Sequence, residues 1–253
     1  MYSFIDLSGK KILITGASSG MGRATAILCS KMGARVILIA RSEDKLNSVM
    51  SELEGDGHSV YPCDLSRIED IEPLIKRTIA DAGPLDGFVH SAGIGSTRPL
   101  KMLKNDALNE VMTINFYSFI EIVRCITKKR CFNEGMSIVG ISSIASRQGN
   151  QSKTAYSASK AAMDAAVRCL AKELAPKKIR VNTVNPAWIK TPIYDQFISN
   201  GGDSEDVKNI LARQYLGLGE PDDVAKMITF LLCDASKLMT GSNVIIDGGR
   251  LSS

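Results

Sequence analysis

The chain has 253 residues, 44% of them hydrophobic and 23% charged, with a net charge of +4, values that are ordinary for a soluble globular protein. The charge is small and no basic stripe with interleaved aromatic residues occurs, so composition gives no support to nucleic-acid binding. No apolar run is long enough to span a bilayer, the N-terminus lacks a signal-peptide pattern, and the six cysteines show no C-x-x-C or metal-ligand spacing, so we expect a cytoplasmic protein with reduced cysteines and no metal site.

Short apolar runs, mostly separated by helical patterns, predict the strands of a parallel sheet. They lie at residues 11–15, 35–40, 58–62, 86–91, 136–142, 179–185 and 243–247. This alternation favours an α/β fold, a Rossmann-like, doubly wound parallel sheet of about seven strands with helices on both faces. No linker, repeat or low-complexity tract occurs, so we predict one domain over residues 1–253.

The first strand is followed directly by a glycine-rich turn. Thr15-Gly16-Ala17-Ser18-Ser19-Gly20-Met21-Gly22 leads from that strand into a helical stretch that begins near Arg23 and ends near Met32. Glycines let the backbone turn tightly and approach a ligand, and the helix N-terminus favours a pyrophosphate. The context predicts a dinucleotide site rather than a flexible Gly/Ser loop.

The end of the second strand bears on the choice of dinucleotide. A cofactor with a free ribose 2′-hydroxyl requires an acidic partner there, but this strand ends in Ala40-Arg41-Ser42. A guanidinium binds phosphate, and Ser42 could add a hydroxyl. We therefore predict NADP(H) rather than NAD(H); the alternative is that Arg41 is a solvated residue opening the next helix.

Two further features predict catalytic chemistry. Ser143 follows the apolar run 136–142, so it lies at the carboxyl end of a strand, where ligands bind in open parallel sheets. Tyr156 and Lys160 are four apart on a predicted helix and share one face. A neighbouring cation favours the phenolate, so Lys160 should lower the pKa of Tyr156 and make it usable as a general acid/base.

Together these motifs resemble the short-chain dehydrogenase/reductase family in its compact form, over essentially the whole chain. Further matching segments are Asp64 for the adenine contact, His90-Ser91-Ala92-Gly93, Asn115, Pro186-Ala187-Trp188-Ile189-Lys190-Thr191 and Asp247-Gly248-Gly249. Two positions depart from the family: Ser91 replaces its second Asn, and Ala187 replaces its usual Gly.

The resemblance implies an NADP(H)-dependent oxidoreductase that reduces a ketone, or runs the reverse reaction. Tyr156 would exchange the proton, Lys160 would also bind the nicotinamide ribose, and Ser143, with Ser142 as a rival, would orient the substrate oxygen. Asn115 would hold a water that links Lys160 to solvent, or would instead be a helix-interior residue that bonds the backbone. The residues that the resemblance assigns to the cofactor are Gly16, Ser18, Ser19, Gly20, Met21, Gly22, Arg41, Ser42, Asp64, Leu65, Ser91, Ala92, Gly93, Tyr156, Lys160, Pro186, Ala187, Ile189 and Thr191.

The family pattern divides the domain into a cofactor-binding half, about residues 1–130, and a catalytic half, about 131–253. Residues 192–219 do not follow the alternation of strands and helices. Their aromatic residues favour a substrate lid over a surface excursion with no role. The expected substrate residues are Ser143, Ala145, Gln148, Trp188 and Tyr194, and the wider pocket would include Ile94, Ser96, Gln151 and Phe197.

The chain resembles reductases of 3-oxoacyl-acyl-carrier-protein, so a 3-oxoacyl thioester is the first substrate guess, and sugars, steroids or other small ketones remain open. Basic residues at 128–130 and at 177–178, Lys177 above all, match positions that dock an acidic carrier in such relatives, or they only complement helix dipoles. A non-catalytic NADPH-binding regulator and an epimerase or dehydratase of nucleotide sugars are the alternatives from other classes. The resemblance also implies a homotetramer or homodimer through the helices near residues 103–130 and 156–175.

Overall fold

A computed structural model describes residues 5–199, 205, 208 and 212–252 of the chain. Seven parallel strands form one sheet in the order β3-β2-β1-β4-β5-β6-β7. The strands are β1 (Lys11–Thr15), β2 (Arg35–Ala40), β3 (Ser59–Pro62), β4 (Leu85–His90), β5 (Phe132–Ile141), β6 (Arg180–Pro186) and β7 (Asn243–Ile246). The order reverses between β1 and β4, and a ligand crevice is expected at such a reversal.

Helices cover both faces of the sheet. They are α1 (Gly20–Lys31), α2 (Glu43–Met50), α3 (Ile71–Ala82), α4 (Asn105–Met112), α5 (Ser118–Ile126), α6 (Thr154–Leu174), α7 (Pro192–Ser199) and α8 (Pro221–Leu232). A π-helical turn, Thr113–Tyr117, joins α4 to α5. None of the helices in the described part of the chain is long and apolar enough to cross a membrane.

Two apolar cores lie on opposite faces of the sheet. On one face, α1 and α8 pack over side chains such as Ile12, Leu38 and Val184. On the other, α3, α5 and α6 pack over side chains that include Leu13 and Phe88. Burial on both faces accounts for strands that read as continuous apolar runs. The predicted fold class is confirmed.

Two predicted boundaries were wrong by more than one residue. α1 begins at Gly20 rather than near Arg23, because the glycines at 20 and 22 belong to its first turn. β5 begins at Phe132 rather than 136, and residues 133–135 in its first half are exposed. Polar, exposed residues carry no apolar signal, so the sequence pattern showed only the buried half of β5.

The predicted lid lies only partly within the described residues. Its first eight residues form α7, and its last residue, Gly219, forms an isolated parallel bridge with Ile189. Residues 200–204, 206–207 and 209–211 lie outside the described residues, so a lid role for the whole segment stays a prediction.

Candidate functional site

The turn after β1 leaves no space for side chains at two of its glycines. Gly16 has a φ of +64°, and a Cβ there would lie 2.7 Å from the backbone nitrogen of Ala92. A Cβ on Gly22 would overlap the carbonyl oxygen of Gly16. The backbone of α1 is therefore held close against the end of β4, with its N-terminal amides directed into the crevice.

A cavity of about 290 Å³ opens at the carboxyl ends of β1, β2 and β4. Most of the residues predicted to bind the cofactor line it: Gly16, Ser18, Ser19, Gly20, Met21, Arg41, Ser42, Asp64, Leu65, Ser91, Ala92, Gly93 and Thr191. The sequence interpretation missed others: Ala40, Lys45, Cys63, Ser66, Ile114, Pro192 and Ile193, while Ile94 lines this cavity and not the predicted substrate pocket. These lining residues extend from the glycine turn to the end of β2 and to Thr191, so the cavity is a candidate site for an extended dinucleotide.

Cations gather at the β2 end of this cavity. Arg41 is exposed, and Lys45 lies one helical turn further on in α2. Ser42 caps α2, its hydroxyl accepting a 3.4 Å hydrogen bond from the Lys45 amide. The Ser66 amide holds the pKa of Asp64 below its usual value, and Arg41 acts in the same direction. The spacing of Arg41 and Lys45 was the signal by which Lys45 could have been found.

Asn115 fastens the π-helical turn to the loop after β4. Its amide oxygen accepts from Ile94 N at 2.8 Å, and its amide nitrogen donates to Ile94 O and to the Ser159 hydroxyl at 3.1 and 3.0 Å. A π-turn displaces side chains from regular helical positions and is frequent at functional sites. These bonds favour the backbone-bonding interpretation of Asn115, and the water-holding role stays a prediction.

Three of the four predicted catalytic side chains, Ser143, Tyr156 and Lys160, converge near the end of β5. Ser143 lies two residues beyond the last residue of that strand, and its hydroxyl acts to lower the pKa of the Tyr156 phenol. Lys160 Nζ donates a 2.7 Å hydrogen bond to the carbonyl oxygen of Ile141 and lies 5.8 Å from the centre of the Tyr156 ring. Ser142, the rival of Ser143, instead donates to the carbonyl oxygen of Lys160 at 3.2 Å.

The lowering of the Tyr156 pKa by Lys160 stays a prediction. In the chain alone, burial raises the pKa of Tyr156, and the Ser143 hydroxyl acts in the opposite direction. Burial also lowers the pKa of Lys160 to about 8, against the stabilising charge of Asp164. Lys160 is thus weakened as a cation, because both groups have been withdrawn from water.

A buried polar network supports the loop that carries Ser143. The Asn185 amide donates to Asp164 Oδ2 at 2.7 Å and to the Ser143 carbonyl oxygen at 3.3 Å. Thr183 donates to Asp164 Oδ1 at 3.0 Å. Because Asp164 is one helical turn beyond Lys160, α6 and β6 hold the serine loop and the lysine in one arrangement.

His90, in the first position of the segment that carries Ser91, is fully buried and was not singled out in the sequence. Its Nδ1 lies 3.1 Å from the Thr15 hydroxyl, which also accepts from the Ala92 amide at 3.3 Å. Burial lowers its pKa to about 3, and nearby Lys160 acts in the same direction, so the imidazole is neutral. His90 therefore ties the ends of β1 and β4 together beside the cofactor cavity.

A second cavity, of about 130 Å³, adjoins the first and shares Met21, Thr191 and Ile193 with it. All five predicted substrate residues line it: Ser143, Ala145, Gln148, Trp188 and Tyr194. Tyr156, Pro186, Ala187 and Ile189, predicted for the cofactor, line this second cavity, whereas Gly22 and Lys160 line neither. Ser96 and Gln151 line neither cavity, and Phe197 packs on Trp188 at 4.7 Å between ring centres.

Four residues of this cavity that carry polar side chains were not predicted to line it: Ser142, Asn150, Lys153 and Arg250. Lys153 could have been found from its position three residues before Tyr156. Arg250 lies 94 residues after Tyr156, and only the tertiary fold brings it here. Ala187 has no left-handed backbone, so the replacement of glycine there is accommodated without strain.

The predicted carrier-docking cations are largely engaged within the chain. Lys177 donates to the carbonyl oxygen of Thr127 at 3.0 Å, just beyond the last residue of α5. Lys128 pairs with Glu72 at 2.9 Å, and Lys178 pairs with Glu134 at 2.6 Å. These contacts favour the structural interpretation of Lys177.

Comparisons with known proteins agree with this geometry. A family model described as enoyl-(acyl carrier protein) reductase matches residues 16–250. The 3-oxoacyl-[acyl-carrier-protein] reductase of Thermotoga maritima is 34% identical, covering 96% of this chain and 98% of the relative. L-xylulose reductase of Caenorhabditis elegans is also 34% identical, covering 96% of each.

A solved structure described as an NAD(P)-dependent gluconate 5-dehydrogenase from Beutenbergia cavernae, with bound NADP at low occupancy, superposes with a TM-score of 0.92. Its sequence is 30% identical, and the match covers 99% of this chain and all of that one. These full-length matches agree with two features of the structure: the glycine turn, and the grouping of Ser143 with Tyr156 and Lys160. The chain therefore belongs to the short-chain dehydrogenase/reductase family and is an NAD(P)-dependent oxidoreductase.

Proposed function

We propose that this chain uses NADP(H) to reduce a ketone to a secondary alcohol, or to run the reverse reaction, with a 3-oxoacyl thioester as the first candidate substrate. The observation that carries the proposal is that Ser143 and Tyr156 both line the second cavity, which adjoins the dinucleotide cavity. The relatives named for 3-oxoacyl carriers support the substrate choice.

Ser143, Tyr156 and Lys160 would have different roles in substrate orientation and proton transfer. The hydroxyls of Ser143 and Tyr156 would both hydrogen-bond the substrate oxygen, orienting the carbonyl. The bound cofactor supplies the hydride to the carbonyl carbon. Tyr156 gives its proton to the oxygen, and because burial disfavours the tyrosinate, the phenol is held in the form that can donate. Lys160, with a pKa of about 8, is suited to return a proton to Tyr156 near neutral pH.

Three side chains support NADP(H) over NAD(H). Arg41, Ser42 and Lys45 line the cavity at the end of β2, the region that receives the adenosine ribose in this fold, and two of them are cations. A 2′-phosphate would find a guanidinium, an ammonium and a hydroxyl there. Asp64, the carboxylate of the same cavity, already accepts a 3.0 Å hydrogen bond from the Ser66 amide.

The proposal is tested by NADPH consumption with acetoacetyl-coenzyme A, a simple 3-oxoacyl thioester. We expect turnover in the wild type and a loss of at least about a hundredfold in Tyr156→Phe, the scale of general acid catalysis. Crotonyl-coenzyme A, the matching enoyl thioester, should not be turned over. A Tyr156→Phe protein as active as wild type would contradict the proposed role.

A small polyhydroxy ketone is the second candidate substrate. The amide oxygen of Gln148 is buried at the second cavity and has no hydrogen-bond partner among the described residues, so it could accept from a substrate hydroxyl. The L-xylulose reductase relative points the same way. Turnover of L-xylulose but not of acetoacetyl-coenzyme A would select this candidate. Stable NADPH binding without turnover of any ketone would instead favour a regulator.

A further inference from the structure

Two cationic side chains, Lys153 and Arg250, line the second cavity, and none of the described residues that line it is Asp or Glu. Arg250 is buried, and the charge of Asp247 favours its charged form. Lys153 is therefore the cation that bears on a ligand. Reduction of a neutral ketone does not require this lysine, because proton transfer would use Tyr156 and Ser143.

Lys153 stands where a cation is unfavourable. It occupies the N-cap position of α6, a helix of 21 residues whose first turn has no acidic residue and no side-chain cap. The helix dipole places partial positive charge at this end, so stability favours an acidic or hydroxyl side chain there. A residue that conflicts in this way with the charge preference of a helix N-terminus is expected at a functional site.

The ammonium of Lys153 has no anionic partner among the described residues. It hydrogen-bonds to the Thr97 hydroxyl and lies 5.7 Å from the centre of the Phe197 ring. Burial lowers the pKa of Lys153, as expected for a half-buried cation without a counter-charge. An anion arriving in the cavity would relieve both this desolvation and the conflict with the helix dipole.

We propose that the substrate carries an anionic group, a carboxylate or a phosphate, which Lys153 binds while Tyr156 and Ser143 hold the ketone. The proposal rests on the proposed ketone reduction and narrows its substrate class. The anionic group has two candidate sources: a carboxylate or phosphate on the ketone itself, or the phosphates of a pantetheine carrier in a thioester.

The kinetic test compares matched anionic and neutral 3-oxo substrates with NADPH. One pair is acetoacetate and methyl acetoacetate, and the other is acetoacetyl-coenzyme A and acetoacetyl-N-acetylcysteamine. We expect kcat/KM of the anionic member to exceed that of its neutral partner by about tenfold in at least one pair, which identifies the source. Lys153→Gln should abolish most of this ratio, and Lys153→Arg should retain it.

A matched control removes a charge elsewhere on the same helix. Lys172 is exposed in the last turn of α6, at the end opposite Lys153. Lys172→Gln changes net charge equally, so it should leave the ratio as in the wild type. A ratio near one in both pairs, or a ratio that Lys153→Gln leaves unchanged, would overturn the proposal while ketone reduction stands.

A binding measurement separates this proposal from the proposed reaction. The only tryptophan of the chain, Trp188, lines the second cavity, so its fluorescence reports ligands there without turnover. Titration with acetoacetate or acetoacetyl-coenzyme A should give a Kd about tenfold lower in the wild type than in Lys153→Gln, and salt should weaken binding. Equal Kd values in the two proteins would overturn the anion site even if no ketone were reduced.

Discussion

At the scale of single residues, Arg41 carries the proposed cofactor preference. It lines the dinucleotide cavity together with Ser42 and Lys45. Lys45 lies in the first turn of α2, four residues after Arg41. The helix begins at Glu43, so its N-terminal amides add to the attraction for phosphate. The sequence identified Arg41 and Ser42 from the strand end, whereas Lys45 emerged only when the helix placed it beside them.

Arg41→Asp should weaken NADPH binding by about ten- to a hundredfold, because a charge-assisted bond is replaced by repulsion between the carboxylate and the 2′-phosphate. NADH, which lacks that phosphate, should lose much less affinity. Dissociation constants for both nucleotides, measured on wild type and variant, decide the matter. Equal losses for the two nucleotides would defeat the assignment.

At the scale of elements, the glycine turn is set by close backbone packing. Gly22 lies in the first turn of α1, directly against the carbonyl oxygen of Gly16, and a Cβ there would also lie 2.9 Å from Ser91 Oγ. The approach joins three segments: the end of β1, the start of α1 and the loop after β4. A pyrophosphate site at the helix N-terminus depends on keeping them together.

Gly22→Ala should therefore reduce both cofactor affinity and stability. Overpacking costs about 1–3 kcal/mol, and roughly 2–4 °C of Tm is lost per kcal/mol in a domain of this size. Gly149→Ala is the matched control, since its Cβ would meet nothing within 4 Å and its φ is not positive. Thermal unfolding with and without NADPH measures both effects, and a Gly22→Ala protein that behaves like Gly149→Ala would refute the packing argument.

At the scale of the whole molecule, the outer faces of α4, α5 and α6 bear on assembly. Of the small residues on α6, Ala158 and Ala165 are exposed, so fitting to the sheet does not explain them. Near α4, Leu100 is 78% and Met102 66% exposed. An apolar surface with small residues permits close approach of a second copy.

We predict a homodimer or homotetramer in solution, measured by light scattering at micromolar concentration. Ala165→Arg should shift the protein towards monomer, because a buried guanidinium at a close helix contact would have no partner. Circular dichroism should show that this variant remains folded, as expected for a change at an exposed position. A monomeric wild type would contradict the prediction.

Much of the molecule could be predicted because its signals are local in sequence. The apolar runs located the strands and the fold, although the exposed half of β5 carried no such signal. The Tyr156–Lys160 spacing and Ser143 identified side chains that the structure brings together, because one helix and one strand end fix them. Arg250 reaches the second cavity only through the tertiary fold, and the electrostatics of Tyr156 depend on burial, which spacing does not reveal.

The most direct test of Tyr-dependent ketone reduction follows the transferred hydrogen. Acetoacetyl-coenzyme A is reduced with NADPH that carries deuterium at the transferable position of the nicotinamide, using wild type and Tyr156→Phe, and the product is examined by mass spectrometry and NMR. We expect one deuterium on the new carbinol carbon with wild type, and almost no product with Tyr156→Phe. Oxidation of NADPH without deuterium at that carbon, or equal product from both proteins, would contradict Tyr-dependent ketone reduction.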